Sequence, residues 1–186
     1  MTISKAIVHE LHKMPLWAKN TLIIVGASLI LALLGRLAIP LPFTPVPLIL
    51  QGSAVLLLGV LLGSKRAASA VALLLAQAAI GLPVLSAGAV GLAKFMGPTG
   101  GYIIGFLVAA YTVGKIIELQ SKRTLANAFF AMCVGQVIIF TLGAAWLSTF
   151  VGFQQAILLG IVPFILGDLI KMAAGLKILQ WMKWDK

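Results

Sequence analysis

Hydrophobic and polar positions divide this chain into long apolar runs set apart by short clusters of proline, glycine and basic residues. The first run covers about Ala18 to Ala38 and ends at PLPFTPVP, where Pro40, Pro42, Pro45 and Pro47 forbid helix continuation. The second and third, about Leu48 to Gly63 and Ala67 to Gly81, are short and joined by SKR. Between Leu82 and Gly101 lies LPVLSAGAVGLAKFMGPTGG, too rich in glycine for an ordinary span and too apolar for an ordinary loop, so it is expected to fold back over or into the bundle. The fourth run covers about Tyr102 to Ile117, the fifth about Leu125 to Phe150 and the sixth about Ala156 to Trp181.

A bilayer core of about 30 Å takes roughly 20 helical residues per crossing, so a chain of this length holds about six spans and little else. The predicted fold is an all-α membrane protein with six transmembrane helices, an amphipathic N-terminal helix and a Gly-rich re-entrant loop between helices 3 and 4. It forms one domain: residues 1–17 as a surface helix and residues 18–186 as the six-helix bundle. The opening stretch, MTISKAIVHELHKMPLWAKN, alternates charge with Ile3, Ile7, Val8 and Leu11 and reads as an interfacial helix, not a signal peptide. No internal repeat stands out, which weighs against an inverted-repeat carrier.

Composition supports the membrane assignment. Hydrophobic residues make up 61% of the chain and charged residues 10%, a balance that a water-soluble globule of this size cannot bury. Charge sets the orientation. With the amino end in the cytoplasm, Lys5, Lys13, Lys19, Lys65, Arg66, Lys115, Lys122, Arg123, Lys177, Lys183 and Lys186 all lie inside, and only Arg36 and Lys94 lie outside. That distribution also accounts for the net charge of +10 without nucleic acid, because the basic residues sit in short loops with no basic face or aromatic platform. Cys133 is the single cysteine; it cannot form an intrachain disulfide and reads as a packing residue.

Catalytic candidates are few. His9 and His12 are the only histidines and both precede the bundle. GPTGG, residues 97–101, lacks the Gly-Lys-Ser/Thr ending of a Walker motif. Ser86, Thr99 and Ser148 have no evident base partner. Neither an ATPase nor an intramembrane enzyme is expected.

Asp168 and Lys171 interrupt the sixth apolar run. Each charge at a helix centre costs roughly 2.5 to 3.5 kcal/mol on insertion scales, so something must answer both. Three residues apart, they share one helical face. They form a self-satisfied ion pair, a proton or ion relay, or a substrate site that offers an acceptor and a donor side by side. A urea group, which both donates and accepts, suits the last arrangement.

Four stretches together, PLPFTPVPLILQG, IGLPVLSAGAVG, GPTGGYIIGFLVAA and PFILGDLIKMAAG, resemble the BioY family, the biotin-binding S-components of energy-coupling-factor (ECF) transporters. The likeness spans Ile39 to Gly175, and the joint spacing of the four motifs makes it specific. It implies a multi-pass protein of a prokaryotic cytoplasmic membrane that captures biotin from outside. It also implies partnership with a membrane coupling subunit, EcfT, and two ABC-type ATPases, with no enzyme activity or cofactor of its own.

The resemblance also implies roles for individual residues. The family's PxxPGDxxK pattern falls on Pro163, Gly167, Asp168 and Lys171, with Leu166 where many relatives carry proline. Asp168 and Lys171 would then hydrogen-bond the ureido ring. Gln51 closes the PVPxxLQ motif, as an amide contact or as an interhelical tie. Thr99, Gly100, Gly101 and Tyr102 match PTGGY, in which glycines admit the backbone to the ligand or pack helices closely, and Tyr102 forms a flat wall. Lys94, the only cation of the re-entrant loop, is the candidate for the biotin carboxylate. Phe43 and Val46, between prolines that restrict their loop, are candidates for a lid. In the first span Ser28 and Ala32 resemble the AxxxA docking motif of S-components, with Ser28 departing from alanine; such a pair serves either partner docking or packing within the bundle. The alternative function is a stand-alone secondary transporter that uses Asp168 as a proton or ion site.

Overall fold

The structure, a computed structural model, describes residues 14–86 and 91–184. Its helices, in chain order, are α1 (Leu16–Arg36), α2 (Gln51–Leu62), α3 (Ser64–Ala79), α4 (Ala93–Met96), α5 (Gly100–Leu119), α6 (Leu125–Val151), α7 (Phe153–Gly160) and α8 (Val162–Trp181). The predicted N-terminal surface helix lies mostly outside the described residues; Leu16 and Trp17, assigned to it from the sequence, belong to α1 instead.

Four helical stretches are long and apolar enough to cross a bilayer: Leu16–Arg36, Gly100–Leu119, Leu125–Val151 and Phe153–Trp181, the last made of α7 and α8 together. Helices α2 and α3, with 12 and 16 residues, fall short of the roughly 20 that a full crossing takes. The chain before α2 forms a minimal ladder instead: β1 (Ala38–Ile39) pairs antiparallel with β2 (Leu48–Ile49), Ala38 opposite Ile49. This is the one departure from an all-helical reading among the described residues. The intervening prolines lack N–H donors and hold the backbone extended, so the flanking residues meet each other as strands.

The sixth apolar run also differs from the single helix expected. It breaks between Gly160 and Ile161, and Pro163 stands in the first turn of α8. There its missing N–H costs nothing, whereas in a continuous helix it would leave a carbonyl unpaired. The turn from α6 into α7 is made by Gly152, whose φ of 83° belongs to the left-handed region open to glycine.

Side chains at two helix starts supply the missing caps. Thr124 accepts the Asn127 N–H at the start of α6. At the start of α3 the carboxylate of Glu118, from the end of α5, accepts both the N–H and the hydroxyl of Ser64, at 2.7 and 2.9 Å. The core runs through the middle of the bundle, with Leu31, Leu56, Leu74, Val113, Met132, Leu147 and Met172 almost wholly buried. The outer faces are apolar as well: Leu22, Leu29, Ile30 and Leu33 on α1, and Ile165, Leu166 and Ile170 on α8, are all exposed. A surface of this kind matches lipid tails.

Candidate ligand-binding site

A charged cluster interrupts the apolar interior, and α8 builds it. The carboxylate of Asp168, in the second turn of α8, forms an ion pair through Oδ1 with the Lys171 ammonium one turn further on. Its other oxygen, Oδ2, accepts from Gln136 Nε2 of α6 at 2.7 Å. Lys171 Nζ also donates to the carbonyl of Ile49 in β2, at 2.9 Å. Each charge is thereby answered by its partner and by one neutral group, as buried charges require.

This cluster lines a largely apolar cavity together with Ile49, Phe106, Ile139, Phe140 and Phe164, and with Val46 and Pro47 of the proline loop. The cavity measures about 60 Å³, room for a few waters. Parts of its wall lie outside α-helix: Val46 and Pro47 in the proline loop, Leu85 and Ser86 after α3, and Thr99 before α5.

The sequence-derived candidates divide on this cavity. Asp168, Lys171, Gln51, Thr99, Tyr102 and Val46 line it. Gln51 stands at the first position of α2 and donates from Nε2 to the carbonyls of Leu31, at 2.9 Å, and Val84, at 3.1 Å. It ties α1 and the segment after α3 to the cavity wall, which is the interhelical alternative foreseen for it. Tyr102 presents its ring to the cavity while its hydroxyl donates to the Gly160 carbonyl at 2.8 Å. Thr99 is buried, and its hydroxyl has no hydrogen-bond partner.

Gly100 and Gly101 do not line this cavity. A side chain at Gly100 would strike the Phe95 carbonyl, and one at Gly101 the Leu142 carbonyl and Trp146, so both serve close packing around the start of α5. Lys94, on the one-turn helix α4, lies outside the lining of this cavity. Phe43 points outward at 56% exposure, and of the two lid candidates only Val46 reaches the interior. Ser28 and Ala32 face the interior of the bundle. Both are buried, and the Ser28 hydroxyl donates to Gln77 of α3 at 3.1 Å, so this small-residue pair serves packing within the chain.

Gln136 is the site residue that sequence reasoning missed. The signal was present: a carboxamide in the middle of the apolar run of α6 carries the same burial cost that drew attention to Asp168. Ser86, noted in the sequence only as a hydroxyl without a base, and Phe164, which follows Pro163 in the last-helix motif, also line the cavity.

Comparison with known proteins gives a consistent result. The sequence model of the BioY family matches residues 5–184. The chain is 43% identical over 164 residues to a biotin transporter BioY of Rhodobacter capsulatus, an alignment covering 82% of this chain and 86% of the relative. It is 40% identical over 154 residues to the biotin transporter BioY of Rhizobium etli, covering 78% and 82%. Its fold is similar to the crystal structure of the S-component for biotin from an ECF-type ABC transporter. The TM-score is 0.81 at 29% identity, over 100% of this chain and 96% of that one.

Proposed function

The chain belongs to the BioY family, and from that premise we propose that it captures biotin as the S-component of an ECF-type ABC importer. The observation that carries this reading is the Asp168–Lys171 pair set in the lining of a largely apolar cavity. Biotin has the matching division, a ureido ring that donates and accepts at one end and a hydrocarbon-rich body. The Asp168 carboxylate accepts from a ureido N–H and the Lys171 ammonium donates to the ureido oxygen. The aromatic and aliphatic walls cover the rest, as in small-molecule sites generally.

In this reading the bundle crosses the cytoplasmic membrane of a prokaryote about six times, with α2 and α3 as the two short crossings and the basic loops inside. The Gly-rich segment between α3 and α5 lies outer-side, against the bundle. The sequence has no Walker motif, which supports dependence on partners: a coupling subunit, EcfT, and two ABC-type ATPases supply the power stroke. Biotin release from the purified protein, measured by mass spectrometry of small molecules, tests capture. Uptake into liposomes tests coupling. The lone chain is expected to bind biotin and accumulate little, and addition of the coupling subunit and ATPases is expected to drive ATP-dependent uptake. Concentrative uptake by the lone chain, abolished by a protonophore, would favour a secondary transporter.

A further inference from the structure

The hydrogen bond from Gln136 to Asp168 fixes more than the carboxylate. A carboxylate only accepts, so the amide must turn its nitrogen toward Asp168, as the 2.7 Å contact shows. Its oxygen then faces away. That Oε1 atom is buried and has no hydrogen-bond partner, although Gln136 is only 7% exposed and lines the cavity. An amide oxygen left dry and unpaired is costly. Ile139 and Phe140, about one turn further along α6, line the same cavity and carry no side-chain donor.

We infer that Gln136 Oε1 is a ligand contact that accepts a hydrogen bond from the second ureido N–H of the bound molecule. The inference rests on the reading that Asp168 and Lys171 receive the ureido ring. A cyclic urea presents two N–H donors flanking one carbonyl, and all three must be answered once the ring leaves water. The pair supplies one acceptor, Asp168, and one donor, Lys171. Of the two cavity-lining residues with an unpartnered buried polar atom, Thr99 and Gln136, the second is the one that already touches Asp168, and its amide oxygen can only accept. Gln136 thus has two tasks: its nitrogen holds Asp168, and its oxygen reads the ligand.

Binding of biotin and of its two singly N-methylated ureido analogues, measured by titration on wild type and Gln136→Met, separates these tasks. Gln136→Met is expected to weaken biotin by roughly 10- to 100-fold. One analogue, methylated at the nitrogen facing Gln136, is expected to lose much less in the variant than in wild type, while the other keeps its full penalty in both. Such selective coupling requires contact between Gln136 and that N–H. Equal penalties in wild type and variant for both analogues would overturn the inference and leave Gln136 as a positioning residue for Asp168. So would biotin binding within about 2-fold of wild type. Should Gln136→Met fail to fold, Gln136→Asn, which keeps an amide but shortens its reach, is put through the same comparison with the same expectations. A wild-type protein that binds no biotin would overturn the biotin reading itself and this inference with it.

Discussion

Tyr102 at the start of α5 donates its hydroxyl hydrogen to the carbonyl of Gly160, 58 positions away, at 2.8 Å. Gly160 ends α7 where the helix breaks before Pro163. A break of this kind leaves carbonyls without intrahelical partners, and at membrane depth no bulk water replaces them. The phenol is therefore a cap for α7 supplied from another helix.

Tyr102→Phe should lower stability by about 1 to 3 kcal/mol, because it strands the buried acceptor and keeps the ring. The cavity wall survives the change, so biotin affinity should fall far less than after changes at Asp168. Thermal melting in detergent, with and without biotin, checks both expectations. An unchanged melting temperature would mean that another donor takes over the Gly160 carbonyl.

Much of this architecture was legible in the sequence for physical reasons. Long apolar runs stop where proline or charge makes helix continuation or burial costly, and α1, α5 and α6 begin and end close to those signals. Asp168 and Lys171 were legible because charge inside such a run demands an answer. Partners that lie far apart in the chain were not. Nothing in the order of residues tells that Gln136 meets Asp168, that Ser28 meets Gln77, or that Lys94 sits away from the cavity. The break at Gly160 was missed because Pro163 suits the first turn of a new helix as well as a bend in a continuous one.

The orientation proposed from the basic residues has a direct test. Phe43, in the proline loop, and Lys65, at the start of α3, are both exposed, whereas their neighbours Thr44 and Ser64 are buried. Single cysteines at Phe43 and Lys65 in a Cys133→Ala background should react with a membrane-impermeant maleimide from opposite faces of sealed vesicles. Reaction from the same face would refute the arrangement.

The Asp168–Lys171 pair is bound on both sides by the protein, so loss of binding in a single variant is ambiguous. Asp168→Asn leaves the Lys171 ammonium without its counter-charge, and Lys171→Gln leaves the carboxylate with Gln136 alone. Removing one partner of a buried pair typically costs about 3 to 5 kcal/mol, much of it from the stranded charge. The double variant removes both charges and should recover most of that stability. If the pair is the ureido site, the recovered protein still binds biotin roughly 30-fold or more weakly than wild type. Melting curves and titrations of all four proteins decide the matter, and a double variant with wild-type affinity would assign the pair to structure alone.

Thr44 ties the proline loop down beside the cavity. Its hydroxyl donates to the Leu159 carbonyl of α7 at 2.7 Å and accepts the Val46 N–H at 3.1 Å, so one side chain fastens the proline loop to the bundle and shapes its turn. Val46 and Pro47, just beyond it, line the cavity of about 60 Å³, and movement of this loop would enlarge it for a bicyclic ligand. Prolines on both sides narrow the conformations open to the loop, so closing it over a ligand forfeits little entropy. Thr44→Val keeps the shape and removes both hydrogen bonds, and the open loop should become more populated. Biotin should then dissociate on the order of 10-fold faster with a smaller change in association, since affinity differences within one site fall mostly on dissociation. Amide exchange across residues 41–46 should quicken in the same variant, and in wild type it should slow when biotin binds. A Thr44→Val protein with wild-type dissociation and wild-type exchange would show that the loop is held elsewhere and that its closure does not limit release.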